Sequence, residues 1–294
     1  MKQLTVLSGK GGTGKTTLTS SFAFLSAGRI VILDADVDAA NLYIVLEHKI
    51  EKEEEIEDGK VARIEREKCT GCGLCFQHCQ FDAIVEEPDG KFRIDEPKCE
   101  GCGVCEFVCP ENAVSLHFSP IGKLYKSSTP FGPFRHARLY PGGESSGRVV
   151  TLLRERAEDS AVEEKKDLIL IDGPPGIGCP ANAAITGVNL VLVVAEPTVA
   201  GWHDMIRALQ LTSFFRIPTM VCVNRYDINP EMTQEIENYC REQGVKFVGR
   251  IPYDRRVIEA QLMGKPVVEA FPQSRSALAI KSIWETVIST LELN

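Results

Sequence analysis

Two groups of residues have types and spacings that could do chemistry. The first is Gly9-Lys10-Gly11-Gly12-Thr13-Gly14-Lys15-Thr16, followed by Thr17, which fits G-x-x-x-x-G-K-[ST]. Glycines in such a run let backbone N–H groups approach phosphate oxygens, and a helix N-terminus behind them favours the negative charge. Lys15 would neutralise the β- and γ-phosphates of ATP, and the Thr16 hydroxyl would ligate Mg²⁺. The second group is eight of the eleven cysteines, all between Cys69 and Cys109 in two runs of four. Clustering that tight, with an odd total, points to metal and not to disulfides.

Cys69-x2-Cys72-x2-Cys75-x3-Cys79 and Cys99-x2-Cys102-x2-Cys105-x3-Cys109-Pro110 follow the bacterial ferredoxin spacing. In that spacing three cysteines of one run hold one [4Fe–4S] cluster and the fourth reaches the other. It predicts Cys69, Cys72, Cys75 and Cys109 on one cluster, and Cys79, Cys99, Cys102 and Cys105 on the second. Gly71, Gly73, Gly101 and Gly103 would relieve the tight backbone between them. Four thiolates also suit Zn²⁺, but zinc modules usually carry separated C-x2-C pairs. Gln80 stands where ferredoxins usually have proline, which predicts altered hydrogen bonding and potential at the nearby cluster. Cys222 and Cys240 read as buried core residues.

Around these groups the chain alternates short apolar runs with longer helical stretches. Strands are predicted at Leu4–Ser8, Ile30–Asp34, Leu168–Asp172, Leu190–Ala195, Thr219–Asn224 and Phe247–Ile251. Helices are predicted at Lys15–Ala27, Arg148–Lys165, Trp202–Phe215, Pro230–Gln243 and Ser274–Leu291. Continuous apolar strands imply burial on both faces, so the fold class is α/β with a doubly wound, mostly parallel sheet. Residues 60–118 break the rhythm with an internal repeat, because Lys68-Cys-Thr-Gly-Cys-Gly-Leu-Cys returns as Lys98-Cys-Glu-Gly-Cys-Gly-Val-Cys. The expected organisation is an ATPase domain over 1–59 and 119–294, interrupted by a small α+β ferredoxin-like domain over 60–118. A unit that small gains the stability its core cannot supply from metal clusters. Glu47 to Asp58, seven acids against two lysines, reads as a solvated helix end or linker. Residues 119–147 read as a loop or hairpin. A packed hairpin is preferred there to a partner surface built on Lys123, Lys126, Arg135 and Arg138.

Lys10 adds to the first motif. Lys-Gly-Gly-Thr-Gly-Lys-Thr-Thr resembles the deviant Walker A of the MinD/ParA/Mrp/nitrogenase-iron-protein class of P-loop ATPases. The resemblance implies an ATP-sandwiched dimer, with itself or with a paralogue, in which Lys10 acts on the partner's nucleotide. Further segments of the same chain resemble that class in order. Ile32 to Leu42 looks like its first switch. Asp36 is preferred for the attacking water and Asp34 for the metal side, with Asp38 as the rival. Leu168-Ile-Leu-Ile-Asp172-Gly173-Pro174-Pro175-Gly176 looks like Walker B running into the second switch, with Asp172 acting on Mg²⁺. Glu196-Pro197-Thr198 after a strand is typical of the class, and Asn224, Pro252 and Asp254 match its adenine-binding positions. Cys179 stands where the nitrogenase iron protein carries a cluster ligand, but Ser145 occupies the position of that family's other ligand.

A net charge of −8 argues against a nucleic-acid partner. No stretch is apolar for long enough to span a bilayer, and the N-terminus runs straight into the glycine loop, so a cytoplasmic protein without stable membrane insertion is expected. The last nineteen residues hold Lys281 against Glu285 and Glu292, unlike the basic membrane helix that ends MinD-like proteins. The expected function is ATP hydrolysis coupled to electron transfer through two [4Fe–4S] clusters to a redox or iron–sulfur acceptor protein. Cluster assembly or carriage is the alternative, and a positioning ATPase with redox-sensing clusters comes third.

Overall fold

The computed structural model describes residues 1–141 and 147–293, with Asp58 by its backbone alone. In chain order the elements are β1 (Lys2–Ser8), α1 (Lys15–Leu25), β2 (Ile30–Asp34), α2 (Leu42–Val45), β3 (Lys49–Ile64), α3 (Leu74–His78), β4 (Ile84–Glu86) and β5 (Phe92–Ile94). There follow α4 (Val104–Phe107), β6 (Val114–Thr129), β7 (Gly132–Leu139), α5 (Gly147–Glu163), β8 (Leu168–Pro175), α6 (Cys179–Ile185), β9 (Leu190–Ala195) and α7 (Val199–Phe214). The chain ends with β10 (Thr219–Asn224), α8 (Pro230–Glu242), β11 (Lys246–Ile251), α9 (Arg255–Leu262), α10 (Val267–Ala270) and α11 (Arg275–Leu291). These elements form two units. One comprises Met1–Glu54, Leu124–Arg138 and the described chain from Gly147 onward; the other comprises Glu55–Lys123 with residues 139–141. The division falls inside β3 and β6, outside the expected boundaries at 60 and 118, because both strands run on through it without a break in regular structure.

The sheet of the first unit has the order β11-β10-β9-β1-β8-β2-β7-β6-β3. β1 pairs in parallel with β8 and β9, and β2 in parallel with β8 and β7. Every residue of β2 and β9 is buried, as strands covered on both faces must be. α1, α10 and α11 contribute to one core, where Leu18, Phe22, Val268, Ile280, Ile283 and Trp284 meet the strands. Phe22 and Trp284 lie with ring centroids 4.8 Å apart. α5 and α6 pack on each other and against β8. The parallel order places the carboxyl ends of β1, β2 and β8 side by side, where a doubly wound sheet holds its ligand.

Two expectations need correction or completion. Glu47 to Asp58 is not a helix end or linker: from Lys49 onward it belongs to β3, last in the sheet order. Charge on such a strand is a known defence against edge-to-edge pairing, and it removes the apolar alternation by which strands are recognised. The described part of 119–147 is a hairpin, with β6 and β7 joined through Pro130 and Phe131. Three of its cations work within the first unit. Lys126 pairs with Glu163, Arg135 donates to Ser160 Oγ, and Arg138 lies 4.2 Å over the Tyr43 ring.

In the second unit β4 and β5 form an antiparallel ribbon with Ile84 opposite Ile94 and Glu86 opposite Phe92. Its core joins Ala62, Ile84, Phe92 and Val114 to Cys75 and Cys105, with Cys79, Cys99 and Cys109 packed against them. The internal repeat survives in three dimensions: α3 and α4 start thirty residues apart, at Leu74 and Val104. Gly101 has φ +59°, and a Cβ there would lie 2.1 Å from the Lys60 carbonyl oxygen, so the second cysteine run passes too close to β3 for any side chain. Among the described residues no helix is long and apolar enough to cross a membrane.

Candidate functional site

The phosphate loop joins β1 to α1. Gly14 caps α1 at φ +98°, and a Cβ there would lie 2.3 Å from Asn224 Nδ2. That approach lets Asn224, at the end of β10, donate from Nδ2 to the Thr13 carbonyl at 2.8 Å, while its Oδ1 accepts from the Arg225 backbone N–H at 3.0 Å. Asn224 therefore braces the loop, with both ends of its amide engaged. Lys15 is buried. Thr16 Oγ1 donates to Asp172 Oδ2 at 2.7 Å, and Thr19, one helical turn further along α1, donates to Asp172 Oδ1 at 3.0 Å.

Asp34, the last residue of β2, is the register partner of Asp172 within β8. Asp34 Oδ1 accepts from the Asp36 N–H at 3.2 Å and Oδ2 from the Leu42 N–H at 3.1 Å, so Asp34 ties both ends of the loop from Asp36 to Leu42 to the sheet. Burial raises the Asp34 carboxyl well above its ordinary range, and the charge of Asp172 adds to the effect. Burial also pushes Asp172 up to about 6, against the pull of Lys15 and the two threonine hydroxyls. Asp36 is raised by burial and opposed by Lys15.

Beside the loop lies a cavity of about 380 Å³. Of the residues expected from sequence, Gly11, Gly12, Gly14, Lys15, Thr16, Thr17, Asp36, Asn224, Pro252 and Asp254 line it. Gly9, Lys10, Thr13, Asp34, Asp38 and Asp172 stand off its wall. Asp254 caps α9 by accepting from the Arg256 N–H at 3.0 Å, and its Oδ2 accepts from Ser276 Oγ at 2.9 Å. Lys10 Nζ lies 2.8 Å from Glu196 Oε2 of its own chain. Sequence reasoning missed Thr19, Arg225 and Gln261. Arg225 lines the cavity beside Asn224, and Gln261 Nε2 donates to Thr17 Oγ1 at 3.3 Å. Thr19 was legible as the position three after Thr16 on the same helix face; the other two carry no local signal.

The eight clustered cysteines line two small cavities of the second unit. Cys69, Cys72, Cys75 and Cys109 surround one, walled by Ile64, Phe92 and Val114. Cys79, Cys99, Cys102 and Cys105 surround the other, walled by Ala62, Ile84 and Ile94. The fourth cysteine of each run therefore lies with the first three of the other. Cys99 Sγ accepts from the Ala62 N–H at 3.4 Å and Cys109 Sγ from the Ala113 N–H at 3.3 Å. Among the described residues no group of three or more His, Cys, Asp or Glu is placed to hold a metal ion. A ring of four thiols about an apolar cavity fits a cube-shaped cluster, whose corners keep its ligands apart, better than one tetrahedral ion held at about 2.3 Å from each sulfur. Burial pushes the Cys105 thiol up to about 11 and raises Cys75, so binding of any metal group as thiolate there would expel protons.

The remaining thiols differ. Cys222 and Cys240 are buried, and burial pushes them up to about 12 and about 11. Cys179 is exposed at the start of α6. Ser145, at the position of the second ligand of the nitrogenase-type cluster, lies outside the described residues.

Comparison with known proteins agrees with this geometry. Residues 4–267 match the family model CbiA, the CobQ/CobB/MinD/ParA nucleotide binding domain. A Methanocaldococcus jannaschii protein, MJ0578, is 32% identical over 285 residues, covering 96% of this chain and 95% of that one. An iron-sulfur cluster carrier protein of Pyrococcus abyssi is 26% identical over 308 residues, covering 99% of this chain and 86% of that one. In fold, the chain resembles the septum site-determining protein MinD complexed with Mg-ADP from Pyrococcus horikoshii, with a TM-score of 0.58, 20% identity, and coverage of 97% and 95%. With its P-loop, its paired carboxylates and a mostly parallel sheet in one contiguous match, the chain belongs to the CobQ/CobB/MinD/ParA nucleotide-binding family.

Proposed function

We propose that the chain binds and hydrolyses MgATP as a dimer, with itself or with a paralogue, and couples that cycle to electron delivery to a redox partner. The observation that carries this reading is one chain holding both a P-loop cavity and two rings of four cysteines. Lys15 neutralises the β- and γ-phosphates, and the Thr16 hydroxyl, oriented by Asp172, ligates Mg²⁺. Asp36, on the cavity wall, orients the attacking water, and Asp34 serves the metal side through the loop it anchors. Asn224, Pro252 and Asp254 form the adenine end, and Lys10 acts on the partner's nucleotide. Two [4Fe–4S] clusters, one on Cys69, Cys72, Cys75 and Cys109 and one on Cys79, Cys99, Cys102 and Cys105, would supply one-electron chemistry. Apolar walls cover the inner side of each ring, where Cys75 and Cys105 are buried, and the N–H groups of Ala62 and Ala113 stabilise negative charge on sulfur.

A second reading is cluster delivery, favoured by the carrier proteins among the relatives, at 24–26% identity. The test is steady-state ATP hydrolysis on anaerobically purified protein, with clusters oxidised and then reduced by dithionite. A several-fold change of rate with redox state supports coupling. Equal rates, with iron passing from the chain to an apo-acceptor on ATP addition, transfer support to the carrier reading.

A further inference from the structure

Lys10 is engaged within its own chain. Its Nζ lies 2.8 Å from Glu196 Oε2, and Arg225 Nη1 lies 2.8 Å from the other oxygen of the same carboxylate. The two partners of the Lys10–Glu196 pair differ in freedom. The Lys10 side chain is about one-third exposed, and its carbonyl is tied down by the Ser8 hydroxyl at 2.6 Å. Glu196 is 13% exposed. α7 packs directly on its backbone, since a Cβ at Gly201 would lie 2.3 Å from the Glu196 carbonyl oxygen. Its carboxylate is also gripped by Arg225, whose Nη2 reaches the Gly12 carbonyl at 3.4 Å and which lines the nucleotide cavity. The anion is fixed and the cation is movable.

We propose that Glu196 is a positioning residue that stores Lys10 in cis, so that ATP-driven dimerisation must first break this ion pair. The inference rests on the reading that Lys10 serves the partner's nucleotide. An ammonium held at 2.8 Å by its own subunit cannot occupy a site on another, so each homodimer formed releases two such pairs. Arg225 gives the store its orientation. By holding one carboxylate oxygen it leaves the other pointing at Lys10, and its position on the cavity wall sets the store beside this chain's own nucleotide cavity. Neutralising Glu196 should therefore favour the dimer. For a partly exposed pair the expected effect is a fall of about three- to tenfold in the protein concentration at which half the chain is dimeric.

The experiment measures dimer fraction against protein concentration by sedimentation, with a slowly hydrolysed ATP analogue and Mg²⁺, for the parent, Glu196→Gln, Glu196→Asp and Lys10→Ala. Glu196→Gln keeps the size of the side chain and should move the midpoint down. Glu196→Asp keeps the charge but withdraws it by one methylene, and should fall between parent and Gln. Unchanged tryptophan fluorescence in each variant shows that the fold is intact. A Lys10→Ala chain that still dimerises fully with the analogue refutes the trans role of Lys10. Loss of the dimer in Lys10→Ala together with an unchanged or raised midpoint in Glu196→Gln overturns the store while leaving that role standing.

Discussion

Replacing Asp172 with asparagine should make the metal- and nucleotide-free protein more stable while disabling it. Asp172 is fully buried, and its pKa stands at about 6 in the folded chain. An ordinary aspartate titrates near 3.9, so the difference of about two units is worth about 3 kcal/mol. The folded state holds this proton more tightly than the unfolded state does. Its contribution to stability is therefore fully present below about pH 4 and is lost as pH rises through about 6. Above that, a charged carboxylate sits buried beside Asp34 without a metal to balance it. Asparagine has no charge to bury, but its amide meets the Thr16 and Thr19 hydroxyls less well than two carboxylate oxygens do, a loss of about 1 kcal/mol. The net gain at pH 8 is about 2 kcal/mol, or about 5 °C in the unfolding midpoint of a domain this size. The two tryptophans, Trp202 and Trp284, both lie in the first unit, so their fluorescence follows its unfolding. In EDTA the variant should melt above the parent at pH 8, with the gap reduced by about three-quarters at pH 5, to about 0.5 kcal/mol. A variant no more stable than the parent at pH 8, or a gap of the same size at pH 5, would refute the reasoning.

Three further outcomes follow from named contacts. Cys75→Ala with Cys109→Ala should leave about four of about eight irons per chain, because both line one cavity, whereas Cys75→Ala with Cys79→Ala should lose both clusters. Iron analysis and EPR decide, and equal iron in the two double variants refutes the grouping. Gly14→Ala forces an alanine to φ +98° and drives its Cβ into Asn224, so calorimetric ATP affinity should fall at least about 30-fold. Burial pushes His136 down to about 3, with the charges of His48 and Arg138 adding to the effect. Its stabilising contribution is present above about pH 6.5 and is lost as pH falls from there toward 3. His136→Phe keeps a flat ring between Tyr125 and Phe134, and should lose about 2 kcal/mol less than the parent between pH 7.5 and 5 in urea titrations.

The sheet was readable wherever burial leaves an unbroken mark. Ile30–Leu33 and Leu190–Ala195 are apolar throughout because both faces are covered, and the bounds of Ile30–Asp34 and Leu190–Ala195 need no adjustment. β3 was misread for the opposite reason. At the end of the sheet its carboxylates meet water, and nothing in a run such as Glu53-Glu54-Glu55 distinguishes an edge strand from a solvated tether. α6, α9 and α10 escaped because seven, eight and four residues are too few for a helical period to emerge. In the site, the P-loop and the cysteine runs were legible because their chemistry is local in sequence. The double duty of Asn224 and the engagement of Lys10 by Glu196 were not, since each joins residues close to two hundred positions apart.

The pairing of β1 governs when the nucleotide site can come into being during synthesis. Its two neighbours are β8 and β9, which begin at Leu168 and Leu190. A nascent chain that has left the ribosome only as far as α5 carries all of its phosphate-loop residues on a strand without a partner on either side. Every cysteine that lines the two cavities of the second unit has emerged well before then. The cysteine-rich unit is thus free to mature first, and the ATPase sheet closes only after most of the chain has been made.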